Sequence, residues 1–137
     1  MEQTLVLIKP DGVKKSLIGK VIATFEGAGF KIAGIKMLNL TKEDAKRFYE
    51  VHKDKHFYES VTNFISSGPI VAMVLEGKEA ILKVREIMGP TDSKKAPKGT
   101  IRGDFGYDVE KNIVHGSDSK ESAEREIPFF FTRNELL

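Results

Sequence analysis

His115 closes the apolar run Ile113-Val114-His115 and is followed by Gly116-Ser117-Asp118-Ser119, which opens a helix. An imidazole at that corner stands at a sheet end beside free helix N-terminal N–H groups, a natural place for an anion. Eleven residues further on, Glu126 falls in the last turn of that helix and can turn back to the ring. A carboxylate on one ring nitrogen fixes the tautomer and leaves the other nitrogen free to attack. The plain alternative is a structural histidine that caps the strand–helix corner. Cations suited to phosphate lie elsewhere in the chain. Lys9 ends the first apolar strand, Arg85 sits in an amphipathic stripe, and Arg102 and Thr91 flank a long loop. Guanidinium forks match phosphate oxygens in a way that lysine does not. Taken singly, each of these reads as a solvated surface charge; only convergence in space would make them a site.

Three other patterns invite chemistry and carry less. The run Gly12 to Val21 has the flavour of a phosphate-binding loop, but its glycine spacing is wrong and no Ser or Thr follows the lysine. His52 and His56 are four apart, the spacing of two metal ligands on one helix face. The residues between them lack the glutamate of a metalloprotease motif. Phe129-Phe130-Phe131 follows Pro128 and reads as packing or an oligomer contact before it reads as a platform for bases.

The elements that must position these residues alternate between two periods. Thr4 to Ile8 is short, β-branched and apolar, and Pro10-Asp11-Gly12 stops it in a turn. Leu17, Ile18, Val21, Ile22 and Phe25 recur at helical spacing, with Ser16 as the N-cap and Gly27 or Gly29 as the stop. Phe30 to Leu40 alternates at both ends but slips near Ala33-Gly34, which predicts a strand with a bulge. Thr41 to Asp44 has capping-box spacing and opens a helix with Ala45, Phe48, Tyr49 and His52 on one face. A short helix carrying Val61, Phe64 and Ile65 follows, then a buried strand from Ile70 to Leu75. Ala80, Ile81, Val84, Arg85, Ile87 and Met88 form another helical stripe, ended by Gly89-Pro90. Residues 89–106 show no period, and a loop of that length in a compact domain is usually functional. The last strand, Ile113 to His115, precedes a helix from Asp118 to Ile127, with Asp118 and Glu121 at capping-box spacing. The order β-α-β-α-α-β-α-loop-β-α predicts an α+β sandwich of the split-βαβ, ferredoxin-like type: a four-stranded antiparallel sheet covered by helices, in one domain over residues 1–137.

Composition narrows the function classes. Apolar residues make up 40% and charged residues 31%, an ordinary globular balance. The formal net charge is +2, too balanced for a protein that lives on nucleic-acid backbone electrostatics. There is no cysteine, so disulfides, thiol nucleophiles and iron–sulfur clusters are excluded. No stretch approaches the ~20 apolar residues of a membrane span, and Met-Glu-Gln-Thr does not open like a secretory signal. These features lead us to expect no membrane or nucleic-acid partner and a cytoplasmic location.

Four blocks resemble one family. Asn112-Ile-Val-His115-Gly-Ser-Asp-Ser119 followed by Glu121-Ser-Ala-Glu-Arg-Glu126-Ile is similar to the signature of the nucleoside diphosphate kinases. Thr4-Leu-Val-Leu-Ile-Lys9-Pro-Asp11 resembles that family's opening strand. Ser67 to Gly77 and Gly99-Thr-Ile-Arg102-Gly-Asp104-Phe resemble two further blocks, in the family order and across nearly the whole chain. The resemblance implies the ferredoxin-like sandwich and transfer of the γ-phosphate of a nucleoside triphosphate, mainly ATP, to a nucleoside diphosphate. It implies a ping-pong reaction through a phosphohistidine, with Mg²⁺ on the nucleotide phosphates. His115 matches the nucleophile and Glu126 the carboxylate that orients it. Lys9, Tyr49, His52, Arg85, Thr91 and Arg102 match phosphate-side groups, with Asn112 and Lys9 reaching the sugar hydroxyl. Phe57 and Val109 match the pair that sandwiches the base, which implies broad base tolerance, and Ser117 matches a residue beside the nucleophile.

The chain also departs from the family pattern. Lys55-His56 stands where many members have Arg-Pro before the phenylalanine, which implies a less rigid entrance near Phe57. Pro97 comes one residue early in the long loop and Lys98 takes the usual proline position. The short tail after Glu126 resembles bacterial-type members that assemble as tetramers or hexamers, so a homo-oligomer is expected. A catalytically silent nucleotide-binding regulator or scaffold of the same fold is the competing reading, and intact His115, Glu126, Lys9, Arg85 and Arg102 speak against it.

Overall fold

A computed structural model describes residues 1–137. Four strands, β1 (Glu2–Ile8), β2 (Lys31–Leu38), β3 (Ile70–Gly77) and β4 (Val114–Gly116), form one sheet in the order β2-β3-β1-β4, with every neighbouring pair antiparallel. The α+β arrangement is the one expected from the element order. Helices cover both faces. Val6, Ile8, Val71, Met73, Leu75 and Val114 face α2 (Ile18–Gly27) and α5 (Ala80–Met88). Leu5, Leu7, Ala72 and Val74 face α3 (Lys42–Phe48), α4 (Tyr58–Ile65) and α7 (Lys120–Phe130). Burial on both sides is why β1 and β3 read as continuous apolar runs rather than as alternating ones. The predicted bulge falls at Ala33, where the pairing of β2 with β3 slips between Ile32 and Gly34.

Several local expectations need correcting. Pro10-Asp11-Gly12 is not a bare turn but the start of a short helix, α1 (Pro10–Lys14), with proline in the first helical turn, where its missing N–H is no loss. Ser16 does not cap α2: Leu17 occupies that position without a side-chain bond, and Ser16 takes a φ of 61° at the turn between the two helices. The long loop folds a short helix of its own, α6 (Ile101–Phe105), capped by Thr100 accepting from the Gly103 N–H. Ser119, not Asp118, caps α7. That helix continues through Pro128 to Phe130. The N–H that proline lacks would have paired with a carbonyl on the exposed Glu124 side, where water can serve instead.

Candidate functional site

The nucleophile candidate is fixed by sheet register. β4 pairs with β1 so that His115 lies opposite Leu7, on the face that α3 and α7 cover. Gly116 permits a close approach to α5: a Cβ there would stand 2.7 Å from Met88 Sδ, so the methionine side chain would have to shift. Two residues before the histidine, the fully buried Ile113 holds a φ of 74°. A β-branched residue rarely adopts that left-handed conformation, and such strain concentrates at functional sites. Asp11 at the start of α1 anchors the kink by accepting the Ile113 N–H at 3.0 Å. The Ile113 carbonyl in turn accepts the Lys9 N–H at 2.8 Å.

Glu126 lies on the buried stripe of α7, with Ala123 and Phe130, rather than in the last turn. Its Oε1 is 2.9 Å from His115 Nε2 and also accepts from the Ser117 hydroxyl at 2.9 Å. Ser117 is wholly buried, and its oxygen accepts the Leu5 N–H at 3.3 Å. Burial is the largest influence on Glu126 and would raise its pKa. The hydrogen bonds and charges of His115, Ser117 and Arg125 together outweigh it and hold the carboxyl below its usual value. An ionised Glu126 accepts, so Nε2 carries the proton and Nδ1 keeps its lone pair. The Phe48 ring meets the imidazole edge-on at 5.5 Å between centroids. His115, Tyr49, His52, Asp118, Ser122 and Arg125 share a small cavity of about 80 Å³. Burial, with the charges of Glu126 and Glu110, raises the Tyr49 phenol above its ordinary pKa.

A second cluster surrounds the first strand's end. The buried Lys9 ammonium donates to Glu110 O at 2.6 Å and to Asn112 Oδ1 at 2.7 Å. Two of its three protons are engaged and one remains for a ligand. Burial, only partly offset by Asp11 and reinforced by Arg102, lowers its pKa to about 8. Asn112 donates its amide to Thr91 O at 2.9 Å and Val109 O at 3.1 Å. Arg102 donates to Asn112 O, Gly89 O and Val114 O at 3.3, 3.0 and 2.7 Å, and burial and nearby Arg85 lower its pKa to about 10. Arg85 donates to Gly116 O at 3.2 Å and faces an open groove of about 780 Å³ that also reaches Asp118 and Thr100. The chain thus brings His115, Glu126, Tyr49 and His52 around one cavity, with Ser117 buried behind Glu126, and ties Lys9, Asn112 and Arg102 into one network. Thr91, Phe57 and Val109 are exposed at the rim. Phe57 lies against His52 and His56, with centroids 5.7 and 5.6 Å apart. One turn beyond it, Ser60 Oγ donates to Glu110 Oε2 at 2.7 Å, joining α4 to the segment that carries Val109. Asp11 and Arg125 were not singled out from the sequence; acidic Asp11 beside Pro10 reads as turn chemistry, and Arg125 as one charge among many on α7.

The sequence matches the model of the family described as nucleoside diphosphate kinase over residues 2–136. The chain belongs to the nucleoside diphosphate kinase family. It is 58% identical to nucleoside diphosphate kinase 1 of Protochlamydia amoebophila over 135 residues, covering 98% of this chain and 96% of that protein. It is 55% identical to the nucleoside diphosphate kinase of Hyperthermus butylicus over 137 residues, covering 100% and 96%. The fold is similar to the crystal structure of the Aquifex aeolicus nucleoside diphosphate kinase, with a TM-score of 0.97, 47% identity and 99% of both chains covered. It is also similar to the halophilic enzyme of Halobacterium salinarum in complex with CDP, with a TM-score of 0.96 and 45% identity over 99% of this chain and 91% of that one.

Proposed function

We propose that this protein, a nucleoside diphosphate kinase, moves the γ-phosphate of a nucleoside triphosphate, mainly ATP, to a nucleoside diphosphate through a phosphohistidine on His115. The observation that carries this reading is the bond from His115 Nε2 to a buried, ionised Glu126, which leaves Nδ1 as the free nucleophile in a cavity. In the first half-reaction, Nδ1 attacks the γ-phosphorus and the bond to the β-phosphate oxygen breaks, releasing a diphosphate. The imidazole acquires positive charge, which the Glu126 anion stabilises. In the second, the terminal oxygen of another diphosphate attacks the same phosphorus and the N–P bond breaks. Phosphoryl transfer of this kind rests on positioning and charge more than on covalent assistance. Arg85, Arg102, Thr91, Tyr49 and His52 supply donors on the phosphate side, and Lys9 with Asn112 reaches the sugar hydroxyl. Phe57 and Val109 hold the base by its faces, which tolerates purines and pyrimidines alike. A nucleoside diphosphate, CDP, is bound by the Halobacterium relative.

No three His, Asp or Glu side chains converge as a metal cage. Mg²⁺ is commonly held by one or two carboxylates together with phosphate oxygens and water. Asp118 fits that mode: it is exposed at the cavity, and the Ser122 hydroxyl, at 2.6 Å, keeps its carboxyl below the usual value despite some burial. The residues therefore suit an ion that arrives on the nucleotide; Asp118 would help to hold it, and it would neutralise charge on the phosphate oxygens. We also propose a homo-oligomer, tetramer or hexamer, and a cytoplasmic setting. No helix is long and apolar enough to cross a membrane.

The test mixes the protein with Mg²⁺ and γ-labelled ATP, removes free nucleotide and adds GDP. Label that stays on the protein, resists base, is lost in acid and then moves to GDP is the expected result. His115→Ala should take no label. A wild type that binds nucleotide without labelling would favour the silent-scaffold alternative, and a labelled His115→Ala would relocate the nucleophile.

A further inference from the structure

Arg125 closes a circuit around the histidine. One of its guanidinium nitrogens donates to Phe48 O at 3.2 Å, and another donates to Glu126 Oε2 at 3.4 Å. Glu126 Oε1 receives His115 Nε2, and the His115 ring lies edge-on against the Phe48 ring. The path His115–Glu126–Arg125–Phe48–His115 therefore runs through β4, α7 and the end of α3 and returns to its start. Each residue in it has two contacts to the others, which is how a rotamer becomes fixed by its surroundings.

The circuit does two things that its parts do not. The Glu126 carboxylate has two oxygens, and Oε1 is shared by His115 and Ser117. Without a partner for Oε2, only the bonds to Oε1 would resist a twist of the carboxylate plane away from the ring. One Arg125 N–H holds Oε2 while the other holds Phe48 O, which restrains the carboxylate plane in the orientation that faces the ring. The same guanidinium caps the free carbonyl at the C-terminal end of α3, where a cation is favoured. The next residue is Tyr49, which lines the histidine's cavity with His52 just beyond it. The wall of the cavity and the carboxylate behind the nucleophile are thereby tied to one side chain.

We propose that Arg125 is a positioning residue for phosphoryl transfer: it holds the Glu126 carboxylate in the orientation that bonds His115 Nε2 and couples that bond to the α3 end that carries Tyr49. The proposal rests on His115 being the nucleophile. Arg125 itself touches no reacting atom and keeps 41% of its side chain exposed, so its action is through Glu126 and Phe48. The groups facing Glu126 are His115 and Ser117 from β4 and its exit, Tyr49 beyond α3, and Arg125 on its own helix; His52 and Asp118 line the same cavity.

Single-turnover labelling of His115 by γ-labelled ATP, measured from pH 5 to 9, tests this in Arg125→Ala and Arg125→Lys. At neutral pH the alanine variant should label about tenfold more slowly, since a small misplacement of a reacting group costs that much or more. Its KM for nucleotide should stay near the wild-type value. Removing the cation lets Glu126 take a proton at higher pH, so the acid limb of the rate profile should move upward. Lysine should return that limb toward its original place, because it restores the charge, while recovering the rate only in part, because it lacks the fork. Nitrogen NMR of labelled histidine supplies a readout independent of turnover: His115 should hold its proton on Nε2 in the wild type and divide it between both nitrogens in Arg125→Ala. A wild-type rate and limb in Arg125→Ala would overturn the proposal. So would a slow variant whose limb and tautomer are unmoved, since that is loss of packing alone. Absence of label on wild-type His115 would instead sink the nucleophile reading, which separates the two failures.

Discussion

Lys9 shows how burial sets both an activity profile and a stability profile with a single group. Its ammonium titrates near 8 rather than 10.5, chiefly because it is buried. The cation is present at pH 7 and is lost as pH rises through about 8. If its third proton serves the nucleotide, KM should rise roughly tenfold between pH 7 and pH 9, in step with deprotonation. Lys9→Gln should raise KM at pH 7 and flatten that rise; a KM that climbs equally in the variant would assign the effect elsewhere. Stability moves the other way. Above about pH 8 the folded state sheds a proton that the unfolded chain keeps until about 10.5. Stability therefore gains with pH across that window, as the penalty on the buried cation disappears. Urea unfolding at pH 8 and pH 10 should show a gain in the wild type that is absent in Lys9→Met. The pairing of His115 with Glu126 was suggested in the sequence by spacing and residue type, and the family resemblance singled it out. The depressed Lys9 was not, because burial of a strand's last side chain depends on the 108–112 segment folding over it.

Arg102 belongs to the scale of elements, because it holds several together. Its three bonds end on carbonyls of Gly89, Asn112 and Val114. These belong to the end of α5, the approach to β4 and β4 itself. Any phosphate contact it makes is added to a clamp that already exists. Arg102→Ala should therefore cost about 3 kcal/mol of stability, the scale of stripping charged donors from buried carbonyls. Arg102→Lys should recover little, because one ammonium cannot reach three divergent acceptors. Denaturant unfolding of both variants checks this; a loss below about 1 kcal/mol would make Arg102 a ligand group alone. The two halves of the sheet and the long helices were readable from period, and the bulge from a slip in alternation. The short helices α1 and α6 were not. Each is a single turn or so, and Pro10 signals a helix start as readily as a turn. α6 depends on the local Thr100 cap and on the burial of its own Arg102, whose carbonyl partners at the end of α5 and on β4 are facts of tertiary contact rather than of local sequence.

At the scale of the whole molecule, the unfinished feature is the outer strand. β2 is an edge of the sheet, and Ile35 and Met37 on it are 48% and 56% exposed. Register places them opposite Met73 and Val71, both in the core beneath α2 and α5. They extend that apolar layer beyond the helices that cover it. The C-terminal tail protects only part of the strand: the Leu137 N–H donates to Ala33 O at 2.8 Å, and Lys36 pairs with Glu135 at 2.9 Å. An edge strand with uncovered apolar side chains is a template for pairing with another chain. If a homo-oligomer forms, this face should be one of its contacts. Ile35→Asp with Met37→Asp should shift sedimentation from the assembled species to a smaller one at the same concentration. Circular dichroism should remain that of a folded chain, because neither side chain is in the core. The His115 cavity is built from β4, α3 and α7, on the sheet's other face. The smaller species should therefore still take label from ATP, though with lower thermal stability. Unchanged sedimentation of the double variant would remove this face from the assembly, and a monomeric wild type would remove the oligomer itself.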